Sequence, residues 1–222
     1  MAECKVVIFD VDGTLYSQQK LRRKMFFSLI RFYMFRPWRY ADLLILHRFR
    51  QEREKRTGYV GADLEKAQYE WCANKLNASV DRIKEVVNHW IFQYPNPFLA
   101  SCIYPGVREL FKKLREKNIK IAIYSDYKAV DKLAAMGLEA DLVVSSTDKN
   151  IDTFKPDPKA INYIMNEFKV TSEECLFVGD REELDGKCAS NAGISYLILN
   201  DKCDPESFFA NIPDRIVTNQ IL

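Results

Sequence analysis

The chain has 222 residues, 47% of them hydrophobic and 29% charged, and its 33 Lys and Arg against 31 Asp and Glu leave a net charge of +2 at pH 7. That balance argues against a disordered chain and against a strongly basic nucleic-acid binder, and the length suits one core carrying a sizeable insertion. The near-neutral total hides an asymmetry: residues 20–56 hold twelve basic and three acidic side chains, a local +9 that leaves −7 for the rest of the chain.

Residues 5–9 are β-branched and apolar, and read as a strand buried on both faces of a parallel sheet. The run continues into Asp10, Val11, Asp12, Gly13 and Thr14. Residues two apart in an extended chain project to one side, so Asp10 and Asp12 can converge beyond the strand's carboxyl end. Gly13 permits a sharp turn and the close approach of a ligand. Two carboxylates held a few ångströms apart repel each other unless a cation or proton lies between them, which argues for a metal. A calcium loop of the EF-hand kind needs glutamate at its twelfth position, which is Leu21 here. An ordinary turn, with the Asp side chains on nearby amides, stays open on these residues alone.

Residues 17–100 read as helical throughout. Leu21, Met25, Phe26, Leu29, Ile30 and Tyr33 recur at helical spacing until Pro37 breaks the run. A second helix runs from Leu43 through the charged residues 50–56 to Thr57-Gly58, and a third covers 63–74 with Asp63 as cap and Trp71 packed inward. A fourth runs from an N-cap at Ser79 to Trp90, and Tyr94-Pro95-Asn96-Pro97 reads as a stiff linker. In the basic stretch, arginines interleave with Phe26, Phe27, Phe32, Tyr33, Phe35, Trp38, Tyr40 and Phe49. The favoured expectation is a helical unit whose aromatic face packs inward and whose charged face is wet. Steering of an anionic substrate, or weak contact with an anionic membrane surface or polyanion, are the other readings. His47 and His89 are expected as packed or surface residues.

From residue 103 helix and strand alternate. A helix over 107–117 leads to a strand over 119–124 ending in Ser125-Asp126, and a helix over 129–136 stopped by Gly137 leads to a strand over 142–144. Lys155-Pro156-Asp157-Pro158 introduces a helix over 159–168, followed by a strand over 176–179 ending in Asp180, a helix over 184–192 and a strand over 195–199. Repeated βα units make a parallel sheet with helices on both faces. The expected fold class is therefore α/β: a Rossmann-like core of residues 1–16 and 101–222, plus a smaller all-helical cap domain of residues 17–100.

Oxygen-bearing side chains fall at the ends of three apolar strands: Asp10 and Asp12, Ser125, and Asp180. In an open α/β sheet ligands bind outside the carboxyl ends of the strands, so these groups and the ammonium of Lys155 are expected to share one crevice. A lone acidic turn does not repeat itself on each strand. On these residues Ser125 can also be a helix cap, Lys155 a solvated loop lysine, and Asp185 a helix N-terminal acid that complements the dipole.

The sequence resembles the haloacid dehalogenase-like hydrolases. The resemblance rests on Asp10-Val11-Asp12-Gly13-Thr14, Ser125 after its strand, Lys155 in Lys-Pro-Asp-Pro, and Gly179-Asp180 followed by Asp185, spread in order over nearly the whole chain. The inserted helices resemble the cap of one large subgroup. Dehalogenases and phosphonatases are disfavoured, since they lack a carboxylate at the position of Asp12. The resemblance implies phosphoryl transfer through an aspartyl-phosphate, with Asp10 as nucleophile, a choice between the two acids that the residues alone leave open. It implies Asp12 as general acid and base, and Mg²⁺ on the Asp10 carboxylate, the Asp12 main-chain carbonyl and Asp180. Ser125 and Lys155 would hold the phosphoryl oxygens, with Asp185 as metal-water ligand or Lys155 orienter, and Thr14 and Asp126 as possible support.

The resulting expectation is a Mg²⁺-dependent phosphatase of a small phosphorylated metabolite. A sugar-phosphate mutase with the same chemistry is the alternative, and a phospho-receiver or binding module a more distant one. No nucleic acid is expected as partner. The six cysteines show no Cys-x-x-Cys pair and no zinc spacing, so most are expected as reduced, buried residues of a cytoplasmic protein. The first strand leaves no room for a leader before it, and the apolar stretches 25–30 and 43–46 are too short to span a bilayer.

Overall fold

The computed structural model describes residues 3–218. Five parallel strands stand in the order β3-β2-β1-β4-β5, with β1 Val6–Phe9, β2 Lys120–Ser125, β3 Leu142–Ser145, β4 Cys175–Gly179 and β5 Ser195–Ile198. β1 is central, pairing with β2 from Val6 opposite Lys120 and with β4 from Val6 opposite Cys175, and all four of its residues are buried. Because successive strand residues face opposite ways, Val7 and Phe9 enter one core and Val6 and Ile8 the other.

The Val7 side is covered by α6 (Val107–Glu116), α7 (Val130–Met136) and α10 (Pro205–Thr218), through Leu110, Phe111, Met136, Phe209 and Ile212. The Val6 side is covered by α8 (Lys159–Phe168) and α9 (Lys187–Asn191), through Ile161, Ile164, Cys188 and Ala189. α10 has no counterpart in the sequence reading. Phe209, Ile212 and Ile216 supply a helical stripe and Asp204 caps the Ser207 amide at 2.9 Å, but Pro213 in its interior masks the pattern.

Between β1 and β2 lie α1 (Gln18–Met34), α2 (Ala41–Glu54), α3 (Leu64–Leu76), α4 (Val80–Val87) and α5 (Asn96–Leu99). Ser17 and Ser79 cap α1 and α4 with their side chains, as the sequence leads one to expect for Ser79. Tyr33, Phe49, Tyr69, Ile83 and Trp90 form this unit's own core. Three expectations need correction. The Pro-rich linker is the helix α5, because Pro at a first helical turn loses no bond, and its Leu99 is buried in the sheet's core. Trp71 is half-buried, ringed by Tyr59, Phe154 and the Arg56 guanidinium. The basic stretch does not turn all its aromatics inward: Phe26 and Phe27 are exposed because α1 has more apolar side chains than its inward face can hold, and Phe35, Trp38 and Tyr40, beyond the helix end, are exposed as well. Of the two histidines, His47 is exposed and His89 packs among Phe32, Trp90 and Tyr94.

The two chain crossings between helices and sheet lie side by side, with the Ser17 amide on the Cys102 carbonyl at 2.9 Å and the Tyr104 amide on that of Leu15 at 3.1 Å. A third tie joins the α2–α3 loop to the loop carrying Lys155. Gly58 donates to the Lys155 carbonyl at 3.0 Å, Phe154 to that of Tyr59 at 3.0 Å, and Asp152 caps the Leu64 amide of α3 at 2.9 Å. The described cysteines are all unpaired and all but Cys203 are buried. Among the described residues no helix is long and apolar enough to cross a membrane.

Candidate active site

At the end of β1 the Asp10 amide still bonds the Val178 carbonyl, at 2.9 Å, so the carboxylate leaves the sheet with its backbone fixed. Its two oxygens are both taken: Lys155 Nζ lies 2.7 Å from Oδ1, and the Thr14 hydroxyl donates to Oδ2 at 3.0 Å. Lys155 is wholly buried and also reaches Asp185 Oδ1 at 2.8 Å. Burial disfavours its charge, but Asp10 and Asp185 outweigh that and hold the ammonium well above its usual range. Lys155 is thus a buried cation between two carboxylates, not a solvated loop residue.

Asp185 owes its place to a wide π-helical turn over Glu182–Gly186, where the sequence suggests one continuous helix. The turn carries the side chain inward, where its second oxygen accepts the amides of Asp180 at 3.1 Å and Arg181 at 3.0 Å. Asp185 is completely buried and bonded to Lys155, an arrangement suited to orienting that lysine, while its other oxygen takes the backbone amides at the start of the turn. Two glycines make room for this packing: a Cβ on Gly13, at φ +105°, would overlap the Asp180 carboxylate, and one on Gly179 would overlap that of Asp185.

Asp12 is held differently. Lys132 Nζ lies 2.6 Å from both its carboxylate oxygens, and the Tyr16 hydroxyl donates to one of them. Burial alone would raise the Asp12 pKa; Lys132 and Tyr16 outweigh burial and keep the group below the usual carboxylate range. Its main-chain carbonyl accepts the Gln18 side-chain amide. Lys132, Tyr16 and Gln18 are not singled out by the sequence reading. A signal for Lys132 exists, since it falls on the stripe of Ala129, Leu133 and Met136 where α7 is otherwise apolar, and it is 5% exposed.

The Ser125 hydroxyl is buried at the end of β2 and accepts the Tyr127 amide at 3.3 Å, so it caps the following turn while lining the crevice. Asp126 accepts from the Ser146 hydroxyl at 2.9 Å, stands 3.5 Å from Arg181, and offers its carbonyl to Arg53 of α2 at 2.6 Å. Arg53 and Arg181 are further residues the sequence reading did not mark as part of the site.

Asp10, Asp12, Ser125, Asp126, Lys155 and Asp180 all line one crevice of about 1370 Å³ between sheet and helices. The crevice as a whole carries acids and bases in similar number, but the clustered carboxylates of Asp10, Asp180 and Asp185 share the buried Lys155 ammonium, which bonds two of them, so negative charge is in excess at that point. The excess is felt at Asp180, whose pKa is raised by burial and then by the charges of Asp10 and Asp185. Asp10 is raised too, by burial first, with Asp185 and Asp12 opposing the help of Lys155. One oxygen of each of Asp10, Asp180 and Asp185 lies within 4.8 Å of the others. Asp180 Oδ1 is buried without a hydrogen-bond partner. A surplus of hard oxygens with one orphaned acceptor fits a divalent cation such as Mg²⁺.

The family model described as haloacid dehalogenase-like hydrolase matches residues 4–193. The glyceraldehyde 3-phosphate phosphatase of Methanopyrus kandleri is 27% identical over 193 residues, spanning 86% of this chain and 81% of that protein. The pyrophosphatase PpaX of Halalkalibacterium halodurans is 27% identical over 96% of both chains. The β-phosphoglucomutase of Clostridium difficile superposes with a TM-score of 0.64 at 16% identity, covering 99% of this chain and 100% of that one, a likeness of fold.

Proposed function

The chain belongs to the haloacid dehalogenase-like hydrolases, and from that premise we propose that it is a Mg²⁺-dependent phosphatase of a small phosphorylated metabolite. The observation that carries this is the buried Lys155 between Asp10 and Asp185, beside the partnerless oxygen of Asp180. A carboxylate held against a cation, at the point of the crevice where negative charge is in excess, suits a nucleophile that must meet a phosphate dianion.

Asp10 attacks phosphorus, its carboxylate forming the new O–P bond as the P–O bond to the substrate alkoxide breaks. Asp12 gives its proton to that alkoxide, then takes one from the water that attacks the acyl-phosphate, which releases inorganic phosphate and restores Asp10. Lys132 and Tyr16 both favour the carboxylate form of Asp12, so it rests as a base; to act as an acid it parts from Lys132 and carries a proton, taken up from solvent or retained from the attacking water of the preceding turnover. Lys155 screens nucleophile from phosphate, Asp185 orients Lys155, Thr14 fixes the Asp10 carboxylate, and Ser125 holds a phosphoryl oxygen. Asp10, Asp180 and the Asp12 carbonyl would hold Mg²⁺, which when bound offsets negative charge on the reacting oxygens.

Residues 17–100 act as a cap over a core of 1–16 and 101–222, shutting water from the crevice. Their reach into it, through Arg53 against the Asp126 carbonyl, supports that division and gives the cap a route to specificity. The unpaired, mostly buried cysteines support a reducing, cytoplasmic setting.

Hydrolysis of an aryl phosphate and of a panel of phosphorylated metabolites tests the proposal. Phosphate release should need Mg²⁺, stop with chelator, and vanish in Asp10→Asn. Full activity in that variant would falsify the covalent scheme, and isomerised sugar phosphate without free phosphate would mark a mutase instead.

A further inference from the structure

Nine of the eleven exposed large hydrophobic residues among those described fall between Phe26 and Leu44, on α1, the turn over Pro37–Arg39 and the start of α2. α1 has two apolar faces. Met25, Leu29, Phe32 and Tyr33 pack into the helical unit's core, whereas Phe27, Ile30 and Met34 point to solvent and are at least half exposed. Phe35 and Trp38 continue that surface beyond the helix end, Trp38 being 76% exposed where Trp90 is buried. A soluble monomer rarely leaves so contiguous an apolar patch open.

The charges around it are of one sign. From Gln18 to Ala41 there are seven Lys and Arg and no acid. Among the described residues no carboxylate pairs with Lys20, Arg23, Arg31 or Arg36; salt bridges in this region begin at Arg39. A second copy would set like charge against like charge. A nucleic acid would find aromatic rings but also Ile30, Met34 and Leu44, which have no face on which a base can stack. Phe27, Ile30 and Met34 share one helical stripe with Lys20, Arg23 and Arg31, cations without a carboxylate partner among the described residues, and with the exposed Trp38 and Tyr40 beyond they match the headgroup and acyl boundary of an anionic bilayer.

We propose that this face docks the protein on an anionic phospholipid membrane as a peripheral, non-spanning contact, with Phe27, Ile30, Met34, Phe35 and Trp38 entering the interface and Lys20, Arg23 and Arg31 holding headgroup phosphates. Phe26 and Leu43 of the exposed set also line the crevice, but none of the eight residues named for docking does, so the contact is tested without reference to the reaction.

The experiment is vesicle flotation of the whole chain, with phosphatidylcholine alone and with roughly one-third phosphatidylglycerol added. Binding should be at least about tenfold tighter to the anionic vesicles and fall at least about tenfold on raising salt from low to high. Substituting Phe27, Phe35 and Trp38 together by Ser should cost at least about tenfold in binding, with thermal melting and hydrolysis of a soluble aryl phosphate unchanged. A second variant, Lys20→Gln with Arg23→Gln and Arg31→Gln, keeps the apolar residues and should lose the preference for anionic vesicles. Equal binding to both vesicle types, binding to neither, or variants that float like the native chain would overturn the proposal. So would a concentration-dependent dimer that the Ser variant abolishes, which would give the face to a second copy.

Discussion

Lys132 Nζ lies 2.6 Å from both carboxylate oxygens of Asp12, reaching across from α7 to the loop after β1. This is a bridge over 120 residues of sequence between the residue assigned acid and base duty and a lysine buried on an otherwise apolar helix face. Lys132 fixes the position of Asp12 and holds it in the carboxylate form. Lys132→Met should therefore lower kcat by about 10- to 100-fold, part of the 10²–10⁴-fold range of proton transfer, while KM moves little. Lys132→Arg should recover a fraction of the loss. A Met variant with native kcat would reduce Lys132 to packing.

Asp180 should report metal binding by stability as well as by rate. In the absence of metal its carboxylate is surrounded by Asp10 and Asp185, and its raised pKa says that the ionised form is disfavoured there. Asp180→Asn replaces a carboxyl whose ionised form its neighbours disfavour by a neutral group of the same shape, so the metal-free variant should melt no lower than the native chain. Saturating Mg²⁺, at roughly 100 times Kd, stabilises by about 2.7 kcal/mol, or about 5–10 °C for a chain of this size. The native chain should show that rise and Asp180→Asn should not. An equal Mg²⁺ response in both would remove Asp180 from the metal site.

What the sequence made legible was whatever depends on short-range pattern. Apolar strands ending in Asp10, Ser125 and Asp180 are visible residue by residue, and the sheet rule then puts those ends together. Lys155 and Asp185 were legible as candidates, but their mutual bond depends on the wide turn over Glu182–Gly186, which looks like ordinary helix in one dimension. Lys132, Tyr16 and Arg53 stayed unread because their partners lie in another element. A buried cation differs from a solvated one only in what faces it across the fold. The exposure of Phe26 and Phe27 on α1 is illegible for the same reason, since helical spacing shows that a stripe exists and not how much of it the neighbouring helices can cover.

Asp141 gives a pH dependence away from the active site. Its carboxylate accepts the Ile121 amide at 2.9 Å and the Lys120 ammonium at 2.8 Å, tying the start of β2 to the start of β3. Burial raises its pKa, but the Ile121 amide and then Lys120 outweigh burial, so the group is held below its usual range. A depressed folded-state pKa contributes stability above the unfolded value of about 3.9 and loses it as pH falls through the lower folded value. The side chain is 29% exposed, so Asp141→Asn should cost only about 0.5–1.5 kcal/mol at neutral pH. That difference should shrink in urea unfolding series taken from pH 7 down to about 3. A gap that persists undiminished in acid would assign the effect to shape rather than charge.

Arg53 joins the helices to the loops that carry the site. It is 6% exposed on α2, donates to Gln68 within the helical unit and to the Asp126 carbonyl across the crevice, and its guanidinium lies 4.2 Å from the Tyr127 ring centre and 4.4 Å from that of Phe154. Phe154 precedes Lys155, and its amide is bonded to Tyr59 of the same helical unit, so Arg53 joins the backbone ties of Phe154 and Lys155 and the Asp152 cap in holding the Lys155 loop against the helices. If the cap must part from the core to admit substrate, it loosens Lys155 as it goes, and closure restores lysine and lid together. Arg53→Met keeps the stem and removes the fork. It should destabilise by about 1–3 kcal/mol and lower kcat/KM at least about tenfold, since an Asp126 carbonyl left without its donor no longer holds the closed arrangement. Arg53→Lys should restore less than half the stability, because a single ammonium cannot bond Gln68 and Asp126 while stacking on two rings. A Met variant that loses stability yet keeps native kcat/KM would show that the cap closes without this bridge, and would leave the backbone tie between Gly58 and Lys155 as the link that positions the loop.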